Sequence, residues 1–226
     1  MPDSFVFHAP DSEFLLPYVE REVGKNPPPW AVMVSSTDIY EPDSASILAE
    51  DAPHRTDSIW AMREAGFLKA YPDGVILRAA PIVGTGMTGA MRRLAEDIYR
   101  GRFFHFPGNE ARKSVVHAVD IAAVVAMLLK TDAASLQGRV FNITDDTDPL
   151  LHDLAEALAF RMDNKRISNI STRPQQLFAK WFYGRRYDYY SSDERFSCEA
   201  LKAAVEFTPT PVCAYLRTHV YDESSL

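Results

Sequence analysis

The sequence predicts an α/β fold: a doubly wound parallel sheet of about four strands with a small C-terminal α+β lobe. Three observations carry that prediction. Short apolar runs at residues 4–9, 30–35, 74–80 and 138–143 are bounded by turn signals, as strands buried on both faces are. Segments of helical spacing separate them, and strands alternating with helices build parallel sheets through right-handed crossovers. Beyond residue 163 the alternation loosens, which reads as a smaller lobe packed over the sheet edge.

The elements follow in order. Residues 4–9 (SFVFHA) run into Pro10, a strand and its exit turn. Residues 11–23 have helical character with acidic residues early, and Pro17 keeps that helix short or bent. The second strand, residues 30–35, ends in the hydroxyls of Ser35, Ser36 and Thr37. In open α/β sheets that carboxyl edge is where ligands and catalytic groups gather. Residues 41–58 are loop, with Pro42, Pro53 and several acidic side chains. Over residues 57–70, Ile59, Met62, Phe67 and Ala70 fall at near-helical spacing.

Residues 74–80 (GVILRAA) form the third strand, and a helix over residues 89–100 is stopped by Gly101. Asp120 reads as the N-cap of a helix over residues 121–130. Residues 138–143 (GRVFNI) are the fourth strand. Asp148 and Pro149 then start a helix, cap first and proline at the first helical position. In the lobe, residues 165–170 and helices over 174–183 and 198–205 complete the pattern.

Composition bounds the class. At 226 residues the chain buries a sizeable core, and 46% hydrophobic with 24% charged residues is ordinary for a globular protein. A net charge of −7 argues against generic nucleic-acid or anionic-membrane binding. No apolar run reaches the ~20 residues of a membrane span, and the N-terminus lacks the pattern of a signal peptide. Cys198 and Cys213 make no CxxC, so reduced thiols in a cytoplasmic protein are the plain reading.

Four segments stand in register. Val34-Ser35-Ser36-Thr37-Asp38-Ile39-Tyr40 has the pattern SSxxVYG, and residues 75–86 (VILRAAPIVGTG) have the pattern VILRPxxVYGPG. Residues 114–122 (SVVHAVDIA) have xFVHVDDVA, and Val140-Phe141-Asn142-Ile143 has VYNI. In order and spacing the chain resembles the extended short-chain dehydrogenase/reductase family, the NAD-dependent epimerase/dehydratases, from that family's fourth strand onward. The resemblance implies a truncated Rossmann-like sheet whose edge lies at residues 4–9. It implies residues 1–148 as a partial NAD(P)-binding domain, and residues 149–226 as a substrate-binding lobe interleaved with it. NAD or NADP is the implied cofactor and a nucleotide-linked sugar the implied substrate.

Three departures accompany the match. The glycine-rich turn that cradles a dinucleotide pyrophosphate belongs before residue 4. The GxGxxG at residues 84–89 falls instead in the register of a later loop beside the substrate. The family's Tyr-x-x-x-Lys stacks a phenol and an ammonium on one helix face, so that the phenol exchanges protons near neutrality. The corresponding helix here offers Ile59 with Arg63, or Trp60 with Glu64, and no phenol. Finally, Glu41 replaces the glycine that would allow a tight turn after Tyr40.

The resemblance assigns Ser36 the role of the catalytic hydroxyl, against a plain reading as a cap of the strand-to-loop turn. It places His8, Ala9, Ser35, Pro81 and Ile82 beside the cofactor, although a histidine among apolar residues and a Pro-Ile pair also serve as core. Arg112, His117 and Arg185 are the candidate substrate contacts, a bidentate arginine suiting a pyrophosphate. Residues 180–190 interleave cations and aromatics, which suits a base and a phosphate or equally a packing surface. No metal ligand set is present. Three functions remain open: an NAD(P)-dependent epimerase, dehydratase or reductase; a non-catalytic subunit or metabolite-binding module; and a fragment with its front half encoded upstream. In the second, another copy or a partner chain covers the edge at residues 4–9.

Overall fold

The computed structural model describes residues 4–8, 30–43, 46–84, 87–105, 109–131, 133–136, 139–162, 165–169, 175–184 and 186–218. The helix expected over residues 11–23, with Ala9, Pro10 and Arg185, lies outside them.

The strands are β1 (Ser4–His8), β2 (Trp30–Ser36), β3 (Ile47–Leu48), β4 (Val75–Ala79), β5 (Ile82–Val83), β6 (Phe104–His105), β7 (Val116–His117), β8 (Val140–Ile143), β9 (Ser168–Asn169) and β10 (Arg195–Phe196). The helices are α1 (Ile59–Ala70), α2 (Gly89–Tyr99), α3 (Ala118–Leu128), α4 (Ala133–Leu136), α5 (Leu151–Arg161), α6 (Gln175–Tyr183), α7 (Arg186–Ser191), α8 (Glu199–Ala204) and α9 (Val212–Thr218). A four-stranded sheet runs β1-β2-β4-β8, and its pairs are parallel. Its strands are the four apolar runs of the sequence, in sequence order. Short parallel pairs, β3 with β10, β5 with β7 and β6 with β9, flank it.

The period of two along β2 decides what each face buries. Ala31 and Met33 point to Phe67 and Tyr71 at the end of α1, with Ile76 of β4 beside them. Val32 and Val34 point the other way, into a larger core shared with Val124 and Leu128 of α3, Phe141 and Ile143 of β8, and Leu201 of α8. A second core joins α2, α5, α7 and α9 through Leu94, Leu154, Leu158, Tyr190 and Leu216. Gly74 lets α1 come down on the sheet: a Cβ there would stand 2.6 Å from Cζ of Phe67.

Two helix starts differ from the sequence reading. Helix α3 begins at Ala118 with His117 in the capping position, so Asp120 lies inside the first turn. Its carboxylate instead accepts from the backbone N–H and hydroxyl of Thr210, both at 2.8 Å, pinning the segment before α9. Helix α5 begins at Leu151 rather than beside Asp148. Leu150 bridges Arg112, and the N–H of Leu151 donates to the Ala111 carbonyl at 2.7 Å, so pairing holds this stretch extended past Pro149. Asp148 sits at φ +42° and its carboxylate accepts from the Ser114 hydroxyl.

Candidate functional site

Strand β2 delivers two hydroxyls to the carboxyl edge, and they take different work. Ser35 is buried, and its Oγ donates to Oε1 of Glu64 at 2.6 Å. Ser36 caps the 3-10 turn at Thr37–Ile39, its Oγ accepting from the N–H of Asp38 at 3.1 Å. This is the local turn bond that serines at strand ends readily form.

Helix α1 lies over this edge. Ser58 caps it by accepting from the N–H of Ala61. The face turned to the sheet carries Trp60, Ala61, Glu64 and Phe67. Ile59 is 47% exposed, and Arg63 lies over the Trp60 ring at 5.1 Å. Glu64 therefore occupies the position facing Ser35.

Glu64 is the centre of a buried network that links three strand ends. Arg78 of β4 grips it in a fork, Nε to Oε1 at 3.0 Å and Nη2 to Oε2 at 2.8 Å. Both side chains are nearly sealed, at 6% and 7% exposure. Nη1 of Arg78 donates to the Tyr40 hydroxyl at 2.9 Å, and its guanidinium lies 5.0 Å from the centre of the Tyr40 ring. Tyr40 in turn donates to Oδ1 of Asn142 in β8 at 2.7 Å and stacks on Phe196. Burial pushes the Tyr40 phenol above its ordinary range, and Arg78 offsets this only in part. The phenol is thus a strut between strands. As the loss of the glycine implies, the chain after Tyr40 is held by pairing: the Glu41 N–H donates to the Pro53 carbonyl at 3.0 Å, beside a Tyr40–His54 bridge.

Outside this network, a cavity of about 170 Å³ opens at the strand end. Tyr40, Phe196, Leu48 and Pro81 give it apolar walls; Asp38, Glu41, Asp43, Asp193 and Glu194 line it with carboxylates. Arg55 faces them, its guanidinium donating to the Asp38 carbonyl.

The sequence candidates are dispersed around this cavity. Pro81 lines it, and the Pro81 carbonyl accepts from the N–H of Val116. Ile82 pairs with Val116 and packs into the main core. Arg112 donates its N–H to Asp193 at 2.8 Å and its guanidinium to the Asp148 carbonyl at 3.0 Å. His117 is buried against the Tyr215 ring at 4.1 Å. His8 ends β1, next to Val34 in register. A second cleft, of about 260 Å³, gathers Ala90 near the start of α2 with Arg93, Arg186, Tyr189 and Tyr190. Arg186 is already paired with Asp97 at 2.7 Å.

Sequence reasoning missed Glu64 as a buried anchor, and with it Arg78, Asn142, Lys113 and Glu194. One signal was readable: an arginine inside an apolar strand needs a buried carboxylate, because an unpaired interior charge is prohibitively costly.

No family model matches the sequence, and no curated protein does. Solved structures do match. A putative epimerase from Burkholderia cenocepacia superposes with a TM-score of 0.64 at 20% identity, over 96% of this chain and 74% of its own. A human epimerase family protein, solved with NADPH, gives 0.62 at 16% identity, over 89% and 69%. UDP-glucose 4-epimerase of Thermotoga maritima, solved with UDP-glucose, gives 0.60 at 14% identity, over 94% and 74%. The chain therefore has the fold of the NAD(P)-dependent epimerases and dehydratases, the extended short-chain dehydrogenase/reductase type.

Proposed function

We propose that this chain is a metabolite-binding protein on the epimerase/dehydratase fold, without that fold's hydride-transfer chemistry. The observation that carries the reading is the bidentate Glu64–Arg78 pair accepting the Ser35 hydroxyl, where the resemblance expects an acid/base pair to face the sheet. A carboxylate holding a buried guanidinium through two hydrogen bonds is not free to exchange protons with a substrate. Helix α1 contains no tyrosine, and the nearby phenol of Tyr40 is fixed between Asn142 and Arg78.

NAD(P) fits the described strand end poorly. The Ser35 hydroxyl is committed to Glu64, and the cavity is smaller than the roughly 300–1,000 Å³ of sites for drug-sized ligands. Its carboxylate lining also opposes a pyrophosphate. A second reading, action on a nucleotide-linked sugar, draws support from the cleft of Arg93, Arg186, Tyr189 and Tyr190, where cations and rings suit phosphate and base. The resemblance would make Arg112, His117 and Arg185 the substrate contacts of that reading.

The test is turnover. Full-length protein is incubated with NAD or NADP and UDP-glucose or dTDP-glucose, following nicotinamide absorbance and the sugar anomeric protons. The reading predicts no conversion, and conversion that Ser36→Ala abolishes would refute it.

A further inference from the structure

Lys113 has no exposed side-chain surface, and its ammonium has no hydrogen-bond partner. Its Nζ stands 3.4 Å from Oε2 of Glu194 and 4.1 Å from the centre of the Tyr189 ring. The Tyr189 hydroxyl is likewise buried and unpartnered. Main-chain bonds hold the two residues opposite one another: Ser114 N–H to the Glu194 carbonyl at 2.7 Å, and Glu194 N–H to the Arg112 carbonyl at 2.9 Å. Backbone pairing, rather than ideal ion-pair geometry, thus fixes their separation.

Burial favours the neutral form of each partner. It lowers the Lys113 pKa, which Glu194 and Asp193 offset in part, and raises that of Glu194, with the charge of Asp38 adding to the rise. Two such groups titrate as one unit. Asp38, Asp193 and Tyr189 face the pair, Arg93 acts across Tyr189, and Arg55 stands across the cavity. Glu194 also lines the strand-end cavity, so this buried unit has one face on the ligand space. The small volume admits a small molecule, and the carboxylate lining repels phosphate and attracts a cation.

We propose that the strand-end cavity binds a small, unphosphorylated, amine-bearing metabolite through Glu194, and that the Glu194–Lys113 pair releases a proton as it binds. This rests on the reading of the chain as a metabolite-binding protein, and places that metabolite in the strand-end cavity. Before binding, the pair holds one transferable proton, on Lys113 or on Glu194. When a ligand ammonium seats against Glu194, like-charge repulsion expels that proton to water. Glu194 is left anionic and Lys113 a neutral amine, which a sealed site favours.

Calorimetry on the full-length protein tests this with ethanolamine, glycerol and glycerol 3-phosphate, each in two buffers of different ionisation enthalpy. Ethanolamine is expected to bind, with a heat difference between buffers equal to about one proton released per site. Glycerol 3-phosphate is expected not to bind. Glu194→Gln should weaken ethanolamine at least tenfold. Lys113→Met, its fold verified by thermal melting, should still bind ethanolamine, because Glu194 remains to receive the ammonium. Equal heats in both buffers would overturn the proton release. Binding of glycerol 3-phosphate in place of ethanolamine would overturn the ligand class while leaving the cavity as the metabolite site. Binding of none of the three would overturn the cavity reading itself.

Discussion

Arg78 and Glu64 illustrate how one residue choice forces another. An arginine in a strand buried on both faces must bring its counter-charge with it, and Glu64 supplies this from α1 through two hydrogen bonds. Glu64→Gln keeps the shape but leaves the guanidinium without its charge partner. The expected cost is about 3–5 kcal/mol, read as a lower urea midpoint at unchanged slope. Lys113 behaves oppositely, because its folded-state pKa is depressed by burial. The unfolded chain then binds this proton more tightly, so Lys113 costs stability at neutral pH. The cost fades as pH rises from the folded value to the unfolded one. Lys113→Met removes a sealed, poorly paired ammonium and should preserve or raise the melting temperature at neutral pH. Any gain should shrink as pH rises towards about 10 and vanish above it, where the unfolded lysine has also lost its proton. A gain that grows with alkalinity would contradict this account.

At the scale of elements, the sheet was legible and the helix starts were less so. Apolar runs bounded by turns marked β1, β2, β4 and β8, because a strand covered on both faces needs nothing else. Asp120 and Asp148 were misread for a common reason: each is an aspartate placed where a helix could begin. Tertiary partners claimed both carboxylates first, Thr210 in one case and Ser114 in the other. Asp120→Ala removes both bonds to Thr210 and should loosen the segment leading into α9. We expect a loss of about 1–3 kcal/mol and faster amide exchange at Thr210 and Val212, with the sheet amides unchanged. The candidate site was half legible. The motif located the strand end and the missing phenol, but long-range partners such as Asn142 for Tyr40 lie a hundred residues apart and leave no local pattern.

At the scale of the whole molecule, the proposed function separates the fold from its usual chemistry. The architecture matches epimerases and dehydratases over most of the chain, yet the polar groups at the carboxyl edge of β2 are spent on holding α1, β4 and β8 together. Function on such a fold is decided by the groups at its sites. Here they form a small carboxylate-lined cavity and a structural network. The most direct measurement is a calorimetric titration of the full-length chain with NAD and NADP. The account predicts no saturable heat from either dinucleotide. Stoichiometric binding of either one, weakened by substitution at Ser35 or Pro81, would contradict it.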